Sequence, residues 1–332
     1  MAASDYPAQV ATAAAPTRLR AGPRLLDGDR LFHALVGLLA GLVVAFAALL
    51  AVYLVKDALP AFERFGAAFL WQQTWNPVTL QFGALPAIYG TLATSLLAML
   101  LAVPVGVGAA IYLAEFAPPW VEKPLSFLIE LLAAIPSVVI GLWGLFVLVP
   151  AIRPVQQWLG QHLGWLPLFS GPPIGIGVFA AGLVLAIMVL PILTAIVREV
   201  LWAVPTHQRE AALALGATPW EMVTTAVLPY GRSGIVGAVI LALGRALGET
   251  LAVTMVIGNA YRIDPSLFAQ ATTLASKIAS EFREADSAVF LAALIYLALV
   301  LFAITLLVNL VARLLVLRLS VRAIGHGQQG GG

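Results

Sequence analysis

The sequence predicts an all-α membrane protein of six spans, and three observations carry that expectation. Of 332 residues, 61% are hydrophobic and only 10% are charged, against roughly 25% charged in an ordinary globular domain. The apolar residues gather into six runs, each of at least the roughly 20 residues a helix needs to cross a hydrocarbon core. Between the fourth and fifth runs, residues 204–229 form a polar, helix-forming island.

Taken in order, residues 1–30 are a polar, Ala/Pro-rich stretch expected to form a mobile cytoplasmic tail. The first run, residues 31–55, is too long and too uniformly apolar for the core of a cleaved leader and is read as a membrane helix. The others cover residues 86–114, 125–150, 174–203, 233–257 and 288–317, so that 31–317 form one permease-like domain. A second cytoplasmic tail is expected at 318–332. Pro104, Pro136 and Pro191 fall inside spans and are expected to kink them.

Orientation follows from the Lys and Arg residues between spans. One side collects eleven: Arg18, Arg20, Arg24, Arg30, Lys123, Arg198, Arg209, Arg232, Arg313, Arg318 and Arg322. The other collects six, Lys56, Arg64, Arg153, Arg262, Lys277 and Arg283, and Arg245 lies within a span. Both termini and the 204–229 loop are therefore expected in the cytoplasm. Trp71, Trp75, Trp158 and Trp165 fall on the opposite side, where interfacial tryptophans anchor helices.

The island has its own logic. Pro205 closes the fourth span, residues 206–215 favour helix, and Gly216 suits the left-handed residue that stops it. Thr218-Pro219-Trp220-Glu221 then combines a capping box with a favoured first-turn proline. Pro229 disfavours helix at Leu228 and is expected to end this second helix. Ala211, Ala212 and Leu215 form a small-residue stripe suited to another protein's groove. The plainer alternative is an interfacial helix.

Several chemistries find no support. No Gly-x-x-x-x-Gly-Lys-[Ser/Thr] segment occurs, so the chain lacks the phosphate-cradling loop of an ATPase. His33, His162, His207 and His326 are dispersed, and with no cysteine there is no metal-ligand spacing and no disulfide. Nucleophile-elbow and zinc-protease motifs are missing too. Although the isoelectric point is near 9.0, the basic residues make no stripe for nucleic acid.

Within span five, Arg245 and Glu249 stand four apart, a spacing that puts them on one helix face. Two readings are open. Intramembrane ionisable groups usually face a water-filled path or a substrate, and a guanidinium offers two parallel donors to an oxyanion; alternatively, the two form a structural ion pair. Ser137 and Thr250 are candidate hydroxyl donors for the same path, or else bond to their own backbone. Glu130 and Arg198 are expected to form a structural pair.

Glu210-Ala211-Ala212, Gly216 and Leu228-Pro229, in that order and spacing before the fifth of six spans, resemble the EAA loop of binding-protein-dependent ABC importers. Further segments extend the similarity: Phe82-Gly83-Ala84-Leu85-Pro86, Gly90-Thr91-Leu92, the stretch from Glu130 to Val139, Gly141-Leu142-Trp143-Gly144, and Gly244-Arg245-Ala246-Leu247-Gly248-Glu249-Thr250. Together they resemble the PstC-type permease of the phosphate-specific transport system over residues 31–317. The resemblance implies a six-helix type I ABC importer permease of the bacterial inner membrane. It also implies a homologous PstA-like second permease, two PstB-like subunits that bind ATP and Mg, and an extracytoplasmic PstS-like phosphate-binding protein. The chain itself would hold no cofactor and would touch lipid, not nucleic acid. Two alternatives stand beside it: a permease for sulfate or molybdate, since a guanidinium does not distinguish tetrahedral anions, and an autonomous ion-coupled transporter using Arg245 and Glu249.

Overall fold

The computed structural model describes the backbone over residues 26–325 and side chains over residues 31–314; the expected tails at 1–30 and 318–332, including Arg18, Arg20, Arg24, Arg30, Arg318, Arg322 and His326, lie wholly outside its described side chains. One compact unit ends at Leu50 and a second begins at Ala51. Helix α1 (Leu26–Phe65) supplies the described part of the first unit.

In the second unit, α1 runs into a 3-10 turn and a short antiparallel hairpin of β1 (Trp75–Asn76) and β2 (Gln81–Phe82). Helix α2 (Leu85–Ile111) follows and ends in a wide π-turn, Tyr112–Phe116. Then come α3 (Pro119–Ala133), α4 (Ser137–Trp143), α5 (Val149–Leu163) and α6 (Val178–Trp202). The polar island forms α7 (Thr206–Ala214) and α8 (Pro219–Met222). Helices α9 (Leu228–Gly248), α10 (Leu251–Val256), α11 (Leu274–Glu281) and α12 (Ala288–Gly325) complete the chain. Six helical stretches among the described residues are long and apolar enough to span: Leu31–Leu70, Leu85–Phe116, Ser137–Leu163, Val178–Trp202, Pro219–Gly248 and Ala288–Leu314.

The third span differs from the sequence expectation of 125–150. Pro136 does not kink a continuous helix; it separates α3 from α4, because a proline disfavours helix at the preceding residue and offers no amide to continue the ladder. The crossing helix therefore starts at Ser137 and continues through the π-turn Gly144–Leu148 to Leu163. Pro104 and Pro191, by contrast, stay inside α2 and α6.

Pro229 corrects a second expectation. The helix begun at Pro219 does not end at Leu228 but passes into α9 through the π-turn Val223–Val227, where the Leu228 amide reaches back five residues to the Val223 carbonyl. A wide turn gives the pyrrolidine ring room and absorbs the missing donor.

Helix α6 is the centre of the bundle, with 67% of its span buried against at most 39% for any other. Glycines let its neighbours approach: Leu97 of α2 fills the space beside Gly182, Leu193 of α6 packs over Gly106, and Val200 packs over Gly234 of α9. The amides at the start of α6 are satisfied by the end of α10 and the segment after it. Gly177 donates to the Val256 carbonyl at 3.0 Å, Val178 to Ala269 at 3.0 Å and Phe179 to Leu267 at 2.7 Å. A second cluster is aromatic, with Phe69 stacked on Tyr296 at 4.3 Å and Phe82 on Phe290 at 5.3 Å.

Candidate functional site

Two places concentrate the polar chemistry, and the first is the α7–α8 element. Helix α7 ends in two bonds, Gly216 amide to the Leu213 carbonyl at 3.0 Å and Ala217 amide to Ala212 at 3.2 Å, with Gly216 at φ +89°. That is the Schellman arrangement, and it requires a residue tolerant of left-handed backbone. Helix α8 opens with the reciprocal capping box of Thr218 and Glu221. Glu210, Ala211 and Gly216 are exposed and Leu215 is 90% exposed, whereas Ala212 turns half-buried onto the core cluster. The expected Ala211/Ala212/Leu215 stripe is thus split, since Ala212 sits about 100° further round the helix than Ala211. Leu228 is half-buried against the same cluster and Pro229 is exposed.

Sequence reasoning gave no role here to Glu115, and used Arg209 only to set topology. Glu115 lies in the π-turn closing α2, its side chain 5% exposed. The Arg209 guanidinium grips it in a bidentate pair, Nη2 to Oε1 at 2.7 Å and Nε to Oε2 at 3.1 Å. Arg209 also donates to the carbonyls of Leu201, at 2.8 Å in the last turn of α6, and Val204, just beyond it. An arginine directly before the EAA segment was the available signal; its acidic partner, 94 residues away, was not visible.

The second place is the break in span five. Arg245 and Glu249 do not share a helix face as expected: α9 stops at Gly248, Glu249 is extended (φ −68°, ψ 127°), and α10 starts at Leu251. The cause is local. Glu249 Oε1 accepts from the Ala252 amide at 3.4 Å, a capping bond that takes the residue out of helical geometry. Arg245, on the last turn of α9, is exposed and has neither a hydrogen bond nor an ion pair among the described residues. Thr250 Oγ1 donates to the Gly248 carbonyl at 3.2 Å. Ser137 is the first residue of α4 and half-buried.

Helix α4, which follows the break at Pro136, packs on α10, which follows the break in span five. Gly141 of α4 lies against Ala252 of α10, and Gly144 against Val256, so α4 and α10 run side by side in the same direction. Ser137 opens α4 and Leu251 opens α10, and Arg245 and Glu249 lie within the six residues before Leu251.

Glu130 and Arg198 lie 3.3 Å apart, and Arg198 also reaches Glu199 at 3.2 Å and covers the Trp202 ring at 4.7 Å. Arg198 is buried while both acids are largely exposed. A further buried cation, Lys277, pairs with Glu281 and sits 4.7 Å from the Tyr261 ring and 5.2 Å from Trp75. Trp75 Nε1 donates to Glu281 Oε2 at 2.6 Å. Burial, and then the Glu281 charge, push the Tyr261 phenol well above its ordinary pKa. No group of three potential metal ligands occurs among the described residues.

Six candidate membrane helices, an exposed helical elbow braced against the ends of α2 and α6, and a break between α9 and α10 mark the chain as a transport permease subunit. Residues 102–320 match the family described as binding-protein-dependent transport system inner membrane component, and the chain belongs to that family. It is 46% identical to the phosphate transport system permease protein PstC of Mesorhizobium japonicum, covering 89% of this chain and 91% of that protein. It is 48% identical to the PstC protein of Xylella fastidiosa over 84% and 90% of the two chains, and 49% identical to that of Pasteurella multocida over 80% and 85%. Among solved structures, an inward-facing MetNI methionine ABC transporter chain shares the fold with a TM-score of 0.53 at 18% identity, covering 70% of this chain and 94% of that one. The fold is that of a type I ABC importer permease.

Proposed function

We propose that this chain is the permease subunit of an ATP-driven phosphate importer. It would form half of the translocation path with a homologous PstA-like permease and take its motion from PstB-like ATPase subunits docked on α7–α8. A PstS-like binding protein would deliver phosphate at the far face. The single observation that carries the reading is Arg245: a guanidinium exposed within a span and without a partner among the described residues is costly against lipid and inexpensive against a hydrated path or a second subunit. Beside it, Glu249 would restrain the guanidinium from holding an anion too tightly, since conduction needs a site the ion can leave. Ser137 and Thr250 would offer hydroxyls. Glu210, Ala211, Ala212, Gly216, Leu228 and Pro229 would form the coupling element, and Glu130–Arg198 would hold α3 in place. ATP and Mg would be bound by the partner ATPase, in keeping with a chain that lacks a phosphate-binding loop.

The test is uptake by the reconstituted complex of both permeases, ATPase and binding protein, with phosphate, sulfate and molybdate in competition. ATP-dependent phosphate uptake that sulfate and molybdate do not compete away is expected. Uptake by this chain alone in ATP-free liposomes would overturn the reading. Both termini and the α7–α8 elbow would lie in the cytoplasm. Because the natural chain has no cysteine, single cysteines at Gln157 and Ala217 report this directly: an impermeant reagent added to intact cells should label position 157 and spare 217.

A further inference from the structure

The α7–α8 elbow must do more than bind a neighbour if it is to move the spans. A docked helix connected only through flexible loops would slide without transmitting displacement. Here the connection is specific. Arg209 holds Glu115 of the π-turn ending α2 through two parallel bonds, at 2.7 and 3.1 Å, and donates to the carbonyl of Leu201 in the last turn of α6 and to that of Val204 just beyond it. Both side chains are largely withdrawn from solvent, Glu115 to 5% and Arg209 to 18% exposure. One guanidinium thereby ties three elements: α7, the end of α2 and the end of α6. Helices α2 and α6 are themselves packed along their length through Gly106 and Gly182. A second strut joins the same parts, with Phe116 of the π-turn 6.4 Å from Trp220 of α8.

The π-turn is what makes this possible. Its Ala117 amide reaches five residues back to Tyr112, at 2.8 Å, so the end of α2 is wound wider than an α-helix and presents Glu115 inward. Such bulges re-aim side chains at functional positions. The planar fork of an arginine is required, because lysine cannot grip both carboxylate oxygens while capping two carbonyls. A cation at the α6 C-terminus is also favoured by the helix dipole.

We propose that Arg209 and Glu115 form the latch through which motion of the coupling element is transmitted to α2 and α6 as one body. The latch rests on the permease reading above and adds to it the positioning residues that convert docking into span movement. It sets the efficiency of transmission, not the affinity for the ATPase.

The experiment measures phosphate imported per ATP hydrolysed by the assembled complex in proteoliposomes, for the parent, Arg209→Lys, Glu115→Gln and the cysteine pair Glu115→Cys/Arg209→Cys. Failure of the parent complex to import phosphate at the expense of ATP would overturn the permease reading itself. With a working parent, the two single variants should retain ATPase in stoichiometric amount and continue to hydrolyse ATP, while import per ATP falls at least about tenfold, within the range of ordinary coupling factors. The cysteine pair should be uncoupled when reduced and regain coupling when bridged by a short bifunctional thiol reagent, which no other position can bind in a chain without cysteine. Parent-like import per ATP in Arg209→Lys and Glu115→Gln overturns the latch. So does loss of ATPase from purified complexes in all variants without recovery on bridging, because the pair would then serve assembly alone.

Discussion

The elbow at α7–α8 and the break between α9 and α10 both carry charge, yet on opposite terms. At the elbow, Arg209 is matched by a buried carboxylate and by helix carbonyls, and Thr218 and Glu221 cap one another. At the break, Arg245 has no partner among the described residues and Glu249 spends one oxygen on a helix amide. A region that transmits force needs a fixed shape, and polar groups satisfied within the chain provide it. A region that handles a passing anion needs charge that the chain has not already neutralised.

The largest expected effect breaks or confirms that contrast at Arg245. Arg245→Gln should lower phosphate uptake by roughly 10- to 100-fold, the loss of one charge-assisted bidentate interaction worth about 1.5–3 kcal/mol. Assembly should be unaffected, because no partner among the described residues is stranded. Glu249→Gln should change uptake less, and the double variant should be no better than Arg245→Gln. Recovery of both uptake and complex yield in the double variant would mean that the two close into an ion pair in the assembled protein. The contrast between open and satisfied charge would then be lost.

At the elbow the expected effect is smaller and conformational. Gly216 sits at φ +89° with nothing within 4 Å of an added Cβ, so backbone strain alone decides the outcome. Gly216→Val should cost roughly 1–3 kcal/mol in elbow geometry and reduce uptake several-fold. Gly216→Asn, which tolerates left-handed backbone, should stay close to the parent. Equal uptake in the two variants would show that the bend is not what the transporter uses.

Which features were legible in the sequence follows from their range. The elbow was readable because its rules are local: Pro205, Gly216 and the Thr218–Glu221 box each act within a few residues. The spans were readable from hydropathy, except the third and the fifth, where apolar runs cross Pro136 and the Glu249–Thr250 break and hydropathy does not register a backbone break. Pro229 misled for the converse reason. A proline rule assumes α-helical winding, and the π-turn at Val223–Val227 suspends it. Arg245 and Glu249 stand out in the sequence as ionisable groups in an apolar run, but helical spacing gave them a shared face that the capping bond to Ala252 removes. Glu115–Arg209 and Lys277 with its rings were beyond sequence reasoning, since each joins segments far apart in the chain and no periodicity connects them.

The smallest effect belongs to that last cluster, a third region which, having its charges satisfied, should behave like the elbow and not like the break. Tyr261 donates to the Gly83 carbonyl, faces Lys277, and has its phenol pKa raised by burial and by the Glu281 carboxylate. The unfolded value is about 10. A raised value in the folded state means that the phenol's contribution is complete below about pH 10 and is lost as pH climbs from there toward the folded value. Tyr261→Phe removes one hydrogen bond, a change of about 1 kcal/mol at neutral pH, and abolishes that alkaline loss. An ultraviolet difference titration of parent against Tyr261→Phe isolates this one phenol from the other six tyrosines, and should show it ionising well above the ordinary range. Ionisation near pH 10 would place Tyr261 in water and Lys277 in an open cluster, and the set of satisfied regions would shrink to the elbow alone.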